Sequence, residues 1–191
     1  MLAPMDSSAD RSAAPSATAA EGPAFDAFLA SVATRAYRFA EGSLRHRDDA
    51  MDAVQDAMAR MLDYRHRPAA EWTPLFWSIV RSRIVDVQRR GLFRLRWLAP
   101  QSEPGEVEWG DHWADPGPGP QGHHDAREAW TTLVGALREL PRRQREAFQL
   151  RVLEELDVAT TARVMGCGEG AVKTHLSRAR DALKRHLEDF Q

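Results

Sequence analysis

One segment, residues 97–126, limits what this chain can fold into more than any other feature. It contains five prolines with glycines between them, so it cannot form a long helix or a central strand. We therefore predict a flexible linker that divides the folded chain into two bodies, residues 25–96 and 127–191. Residues 1–24 are mostly Ala, Ser and Pro with few large apolar side chains, which predicts a disordered tail.

Charge is distributed unevenly between these segments. Residues 25–96 carry thirteen basic and nine acidic groups, and residues 127–191 carry twelve and ten. The linker carries six acidic groups and no basic one, and residues 1–24 carry three acidic groups and one basic one, which brings the whole chain to a net charge of −2. Within residues 81–96, six arginines accompany a single aspartate, Asp86. This density predicts contact with phosphates, although a solvated helix end is the alternative.

Several features bear on the compartment of the protein. No apolar stretch approaches the roughly 20 residues that cross a bilayer. Asp6 and Asp10 lie where a secretory signal would have its apolar core. The single cysteine, Cys167, excludes an intramolecular disulfide. We therefore expect a cytoplasmic protein that does not insert into a membrane.

Both bodies show helical periodicity without the alternation typical of strands, so the predicted fold class is all-α, with two small helical domains. The apolar pattern of the first body predicts three helices. One begins near Phe25, one is capped by Asp48 or Asp49, and one begins at Thr73 and Pro74 and ends near Gly91. The second body predicts helices near 126–139, 141–154, 157–165 and 169–189.

Residues 157–183 have the spacing of a helix-turn-helix. Ala162 is small where two helices must touch, Gly166 lies four residues later where the turn needs a positive φ, and Val172 returns to the core. Cys167, directly after the turn glycine, is predicted to be buried filler. We expect a C-terminal DNA-binding domain over residues 127–191.

The second helix of this motif has a basic, hydroxyl-rich face that suits a reader of the DNA major groove. The alternative is a helical hairpin with a solvated charged face, and the clustering of basic residues on this helix favours DNA. Arg185 also points outward. The candidate DNA contacts on this helix are Glu169, Gly170, Lys173, Thr174, Ser177 and Arg178.

A polar stripe follows the second helix of the first body, because Asp52, Gln55 and Asp56 fall at positions i, i+3 and i+4. Paired carboxylates raise the question of acid–base chemistry or a metal. Neither is supported, because the stripe has no nearby histidine or second carboxylate pair that would close a site. From the residues alone, a solvated helix face is the leading interpretation.

The third helix and the segment before it, residues 63–74, are a second candidate for nucleic-acid contact. The segment combines aromatic rings, basic groups and a non-helical turn, which predicts a cradle for an unstacked base. The alternative is a surface loop with Trp72 packed on the core. The candidate DNA contacts in this region are Arg65, Trp72, Arg81, Ser82, Arg83, Asp86, Arg89 and Arg90.

Motifs of catalysis are weak or missing in the sequence. His123 and His124 lie in the predicted linker, and we do not expect them to form a metal site. There is no glycine-rich phosphate loop, nucleophile elbow or two-histidine zinc motif. We therefore predict no catalytic residues, no metal and no cofactor, and a protein that is not an enzyme.

Taken together, four motifs resemble those of the extracytoplasmic-function sigma factors, promoter-recognition subunits of bacterial RNA polymerase. DDAMDAVQDAMARML resembles the family's DAEDLVQEVF, and LFWSIVRSRIVDVQRR resembles WLYRIARNRAIDLLRR. ELPRRQREAFQLRVLEEL resembles LPPRQREVFLLRYLEGL and is followed by the helix-turn-helix. The resemblance covers about residues 25–96 and 127–189, with Leu75 and Ser82 where the family usually has Trp and Asn, and Thr160-Thr161 where it has Glu-Ile.

The resemblance implies two partners, core RNA polymerase and promoter DNA, and leaves open an anti-sigma protein as a third. Asp52, Gln55 and Asp56 would bind the polymerase, the third helix would face the minus-ten element and help to melt it, and the helix-turn-helix would read the minus-thirty-five element. Two other functions remain as alternatives. A conventional helix-turn-helix regulator would need a dimerisation or ligand-sensing domain, and an enzyme acting on nucleic acid would need a metal or nucleophile cluster.

Overall fold

The computed structural model describes residues 18–97 and 120–188, and these contain α-helices, one π-helical turn and no strand. The all-α prediction is therefore confirmed for the described part of the chain. The elements are α1 Thr18–Glu41, α2 Arg47–Leu62, α3 Ala69–Trp97, α4 Pro120–Glu139, α5 Arg142–Phe148, the π-helical turn Gln149–Leu153, α6 Val158–Met165 and α7 Glu169–Glu188. None of the described helices is long and apolar enough to span a bilayer.

Helices α1, α2 and α3 form the N-terminal body around an aromatic centre. Phe39, Phe76 and Trp77 are all almost fully buried. The ring centroid of Trp77 lies 5.3 Å from that of Phe39 and 5.4 Å from that of Phe76, distances typical of favourable tilted or edge-on ring pairs. Met61 of α2 is also fully buried, so the predicted apolar stripes of all three helices meet in one core.

The C-terminal body contains the predicted helix-turn-helix in α6 and α7. Ala162 is buried, Gly166 has a φ of 62°, and Val172 is fully buried. The positive φ is the left-handed conformation that a glycine adopts without the strain of a Cβ atom. Each of the three positions thus has the environment that its spacing predicted.

The two bodies pack directly against each other, which the expectation of two tethered domains did not include. A single hydrophobic cluster continues from Phe39 and Trp77 in the first body to Leu150 and Val172 in the second. Gln149 is fully buried at the centre of this contact. Its Nε2 donates to the carbonyl oxygen of Phe39 at 2.9 Å. A separate, smaller cluster of the second body includes Leu137 and Leu183.

Three predicted helix boundaries differ from the structure. The structure begins α1 at Thr18, so residues 18–24 are helical and not part of a tail, and it begins α4 at Pro120, within the predicted linker. Pro120 is the first residue of that helix, where its missing N–H costs no hydrogen bond. Helix α3 continues through Gly91 to Trp97. The remaining linker and tail, residues 98–119 and 1–17, lie outside the described residues.

The beginning of α3 also differs from the prediction. The helix begins at Ala69, so Thr73 is not its cap and Pro74 lies inside it. Contacts within the first turn explain the earlier start: the N–H of Glu71 donates to the carbonyl of Pro68 at 2.8 Å, and Arg67 pairs with the Glu71 carboxylate at 3.1 Å. The N-cap of α2 is His46, so neither Asp48 nor Asp49 caps this helix. Both aspartates lie in its first turn, where their negative charge interacts favourably with the positive end of the helix dipole.

Candidate nucleic-acid interface

Helix α7 presents the candidate major-groove residues to solvent. Its inner side is fixed by Val172, Ala179 and Leu183, which are all buried. The opposite side therefore projects outward as a consequence of helical periodicity. All six candidate positions are exposed: Glu169, Gly170, Lys173, Thr174, Ser177 and Arg178.

Contacts within the C-terminal body hold α6, the first helix of the helix-turn-helix. Asp157 caps α6, and its carboxylate accepts hydrogen bonds from the backbone N–H of Thr160 at 2.7 Å and from the Thr160 hydroxyl at 2.9 Å. These two bonds favour the charged carboxylate and lower the pKa of Asp157. At the other end of α6, Arg143 donates to the carbonyl of Met165 at 2.6 Å. The turn is thus held at both ends of its first helix.

The π-helical turn before α6 was not predicted from the sequence. The N–H of Glu154 donates to the carbonyl of Gln149, five residues back, at 2.9 Å. Glu155 follows with a φ of 54°, in the left-handed region that normally favours glycine. This irregular segment ends the helix and carries Gln149 and Glu154, two buried polar residues of the contact between the bodies.

The polar stripe and the basic end of α3 line the two sides of one groove. Asp52, Gln55 and Asp56 of α2 are exposed, as the stripe predicts. Across from them, α3 contributes Arg83, Arg89 and Arg90 to a groove of about 770 Å³. One wall is therefore acidic and the other basic, so the two candidate surfaces of this body adjoin each other.

Arg81 differs from these arginines because the C-terminal body covers it. Its side chain is 18% exposed, and its Nε lies 3.1 Å from Oε2 of Glu146 in α5. Glu146 is itself buried and also lies near Arg142 and Arg143 of its own helix, at 3.7 and 3.5 Å. Ser82 is exposed, whereas Arg83 and Asp86 are half-buried.

The segment between α2 and α3 is shorter than predicted, because residues 69–74 belong to α3. Arg65 is exposed in the remaining turn. Trp72 is only 5% exposed, and its indole N–H donates to the carbonyl of Arg67 at 2.8 Å. The ring packs against Phe25 at 5.1 Å, so Trp72 has the core environment that was the alternative for this residue. In this arrangement its ring is not available to stack on a base.

The contact between the bodies contains charged pairs that sequence reasoning missed. Nη2 of Arg35 lies 2.7 Å from Oε2 of the buried Glu154. Burial raises the pKa of the Glu154 carboxyl to about 7, and the charge of Arg35 opposes this shift. Arg138 donates to the carbonyl of Glu41 at 2.9 Å, and Trp130 donates to its carboxylate at the same distance. No local spacing connects residues about a hundred positions apart, so this surface carries no sequence signal.

Among the residues whose side chains the structure describes, 22–91 and 126–186, no three or more His, Cys, Asp or Glu side chains are grouped so that they could hold a metal ion. Cys167 is half-buried and its thiol is free. His123 and His124 lie in α4, and their side chains are outside the described residues.

Comparison with known proteins connects this geometry to a family. Residues 131–183 match the family model of sigma-70 region 4. The ECF RNA polymerase sigma factor BldN of Streptomyces coelicolor is 51% identical over 57 residues. That match covers 30% of this chain and 22% of the relative, so the chain spans less than a quarter of that protein's length.

Two solved structures resemble this protein over most of its chain. The sigma factor RpoE of Bartonella quintana, solved with the anti-sigma factor NepR, has a TM-score of 0.66 at 21% identity and covers 86% of this chain and 97% of its own. CnrH, solved with the cytosolic domain of CnrY, has a TM-score of 0.61 at 20% identity and covers 92% and 96%. The chain has the fold of these proteins, its residues 131–183 match sigma-70 region 4, and it resembles the extracytoplasmic-function sigma factors.

Proposed function

We propose that this protein is a sigma factor, which binds bacterial core RNA polymerase, recognises promoter DNA and directs transcription initiation. The observation that carries the proposal is the exposed basic and hydroxyl-bearing face of α7 within a region 4 match. A non-polar face at this position would not support contact with DNA. Catalysis of RNA synthesis belongs to the polymerase in this proposal, and the chain itself performs no bond chemistry.

The polymerase-binding surface in this proposal is the acidic stripe of α2. Asp52, Gln55 and Asp56 lie on one exposed face, and α2 is anchored behind them by the fully buried Ala57 and Met61. An anchored helix presents its side chains without a large loss of conformational entropy on binding. Negative charge at the centre of such a surface suits a basic partner helix and gives specificity and speed of association.

The upstream promoter surface is α7. Lys173 and Arg178 supply positive charge for phosphates or for guanine edges, and Thr174 and Ser177 supply hydroxyl groups. The hydroxyl of Thr174 donates to the carbonyl of Gly170 at 3.0 Å, which leaves its oxygen able to accept from a base. Contacts of both kinds are needed, because phosphate contacts position the helix and base contacts specify the sequence.

The downstream promoter surface is the basic end of α3 with the turn before it. Arg89 and Arg90 are exposed and Arg83 borders the groove, so positive charge lies along one side of the helix. Arg65 extends this charge to the turn between α2 and α3. A basic path of this kind follows a single-stranded backbone, as promoter melting requires.

Two features of the setting follow from this role. A partner of a bacterial polymerase works in the cytoplasm, in agreement with the expectation from the sequence. The two solved structures are complexes, one with the cytosolic domain of CnrY and one with the anti-sigma factor NepR, and we propose that this chain also has a protein antagonist.

The test measures binding of a duplex promoter library by fluorescence anisotropy and selection, with and without core polymerase. A sigma factor selects sequences strongly only when polymerase is present, because both promoter surfaces are then held in register. A conventional regulator would select the same duplexes at the same affinity without polymerase. Selection that polymerase does not alter would overturn the proposal.

A further inference from the structure

The carbonyl oxygens at the end of α6 accept hydrogen bonds from two different sources. The carbonyl of Ala162 accepts from the N–H of Cys167 at 3.1 Å, which is a bond within the turn itself. The carbonyl of Met165, the last residue of α6, accepts from Nη1 of Arg143 at 2.6 Å. A side chain of α5, twenty-two residues earlier in the chain, therefore completes the end of α6.

Arg143 is held at this carbonyl by a buried carboxylate of its own helix. Its Nη1 lies 3.5 Å from Oε2 of Glu146, and Glu146 is only 4% exposed. The positive charge of Arg143 lies at the carbonyl end of α6, where a cation interacts favourably with the helix dipole. Because the Arg143 side chain is 38% exposed, this contact does not require full burial of a charge. Arg143 thus joins α5 to the turn of the helix-turn-helix.

This turn places the N-terminal end of α7. Only residues 166–168 separate Met165 from Glu169, the first residue of α7. Two of these three residues are glycines, which restrict the backbone less than other residues do. Lys173 and Thr174 lie in the first two turns of α7. A recognition site works only when its groups are held within about 0.5 Å of the productive geometry, so support of the turn from outside affects what α7 can read.

We propose that Arg143 is a positioning residue for the reading of the upstream promoter element. It acts through the Met165 carbonyl on the placement of α7, and not through a contact of its own with DNA. The inference rests on the sigma-factor function proposed above and adds a residue of α5 that determines its sequence selectivity. A base contact depends on the direction of one side chain, whereas attraction of a basic helix to phosphates carries no sequence information. Loss of Arg143 should therefore reduce discrimination between sequences more than general affinity for DNA.

Arg142 provides a matched control on the same helix. Its Nε lies 3.7 Å from Oε1 of Glu146, and its side chain is 39% exposed, nearly the same as that of Arg143. Within the part of the chain that the structure describes, Arg143 is the one of these two that bonds to the turn. Replacement of either arginine by Ala removes one positive charge beside Glu146. A general electrostatic effect is therefore equal in the two variants, and an effect of the turn contact is not.

The experiment uses the full chain with core polymerase and the duplex library described above. Discrimination is the ratio of the affinity for the selected upstream element to the affinity for a scrambled one. We expect Arg143→Ala to lower this ratio about tenfold, the size of one good base contact, and Arg142→Ala to stay within about twofold of the parent. Arg143→Lys keeps a charged donor and should recover most of the loss.

A second measurement reports on the turn without DNA. The amides of Gly166 and Cys167 are hydrogen-bonded in the turn. Their hydrogen exchange should be about tenfold faster in Arg143→Ala than in the parent, because local opening depends on the contacts that hold a segment. Exchange of the same amides in Arg142→Ala should match the parent.

Three results would overturn the positioning role. Arg143→Ala could discriminate like the parent, or the two Ala variants could lose discrimination equally, which would assign the effect to charge alone. A salt slope lowered by about 1 in Arg143→Ala would instead assign the side chain to a direct phosphate contact. The parent tests the sigma-factor function separately, since that function is wrong if the parent selects no duplex with polymerase. In that case, unchanged amide exchange in Arg143→Ala would still decide against the positioning role, and faster exchange would support it.

Discussion

The two bodies of this protein present their candidate DNA surfaces differently. Helix α7 in the C-terminal body has all six candidate residues exposed, and the helix before it, α6, is held by contacts within the same body. Helix α3 in the N-terminal body has Arg81 paired with Glu146 of the other body. The candidate surface of α7 is therefore open to solvent. The candidate surface of α3 is partly covered by long-range packing of the other body. Changes in the two bodies should therefore have separable effects.

The largest expected effect is on the N-terminal body. Asp52→Arg combined with Asp56→Arg reverses the charge of the exposed stripe, and we expect the affinity for core polymerase to fall by about a hundredfold or more, because like charges across an interface cost several kcal/mol. A pull-down with core polymerase measures the loss. Asp63→Arg, at an exposed position after α2, is the control. Unchanged affinity in the double variant would contradict the docking assignment.

The contact between the bodies should weaken as pH rises. Burial raises the pKa of Glu154 to about 7, so the packed form binds this proton more tightly than the unfolded chain does. The corresponding stability is present below the ordinary glutamate pKa and is lost between about pH 4.5 and 7, at a cost on the order of 1 to 3 kcal/mol. Thermal unfolding at several pH values measures it.

Glu154→Gln provides the matched variant for that measurement. The neutral amide keeps the shape of the side chain and cannot titrate, so its unfolding temperature should change less than that of the parent across this range of pH. Arg35 and Arg38 are the charges that act on Glu154, and both remain in place in this variant. Equal pH dependence in parent and variant would show that another group controls the contact.

On α7, Lys173→Ala and Arg178→Ala should each weaken binding to the upstream element. A residue that contacts phosphate lowers the salt slope by about 1, and a residue that reads a base relaxes specificity at one position by about 1 to 3 kcal/mol. Anisotropy titrations at several salt concentrations distinguish the two roles. Arg127→Ala, on α4, is the comparison, and variants of α7 that bind and select like the parent would remove α7 as the recognition surface.

Adjacent threonines in α6 should respond in opposite directions. Thr161 is fully buried and its hydroxyl has no hydrogen-bond partner, so Thr161→Val should stabilise the protein by about 1 kcal/mol. Thr160 donates its hydroxyl to the capping carboxylate of Asp157 at 2.9 Å, and Thr160→Val should destabilise by a similar amount. Urea unfolding measures both, and equal signs would contradict this assignment of the two hydroxyl groups.

The smallest effect concerns Glu155, which has a φ of 54° at the end of the π-helical turn. Glu155→Gly removes the steric cost of a Cβ in the left-handed region, and we expect a gain of about 0.5 to 1 kcal/mol. Glu128→Gly, within the helix α4, should lose a similar amount. Urea midpoints compare the two, and a loss of stability in both variants would show that the Glu155 side chain makes a contact of its own.

Local signals explain what the sequence made predictable. The spacing of Ala162, Gly166 and Val172 predicted the helix-turn-helix. Ala162 and Val172 are buried in their helices, and Gly166 has the positive φ that the turn requires. The stripe of Asp52, Gln55 and Asp56 was predicted as exposed by periodicity alone. These positions depend on neighbours within one helix or one turn.

Predictions that needed distant partners were incomplete. Trp72 was a candidate for base stacking, but its burial depends on Phe25, which is far away in sequence. The bond of Gln149 to Phe39 and the pairing of Glu146 with Arg81 gave no signal, because these two partners lie in the other body. Helix ends were also misplaced, since Pro74 and Gly91 favour ends in isolation and the packed α3 continues through both.

Run-off transcription tests the central claim most directly. Core polymerase, this chain and a pool of promoter fragments are incubated, and the transcripts that initiate at defined positions are sequenced. A sigma factor yields transcripts from a restricted set of fragments that share two spaced elements, and these disappear when the chain is left out or carries Asp52→Arg with Asp56→Arg. Transcripts that are the same with and without the chain would contradict the account.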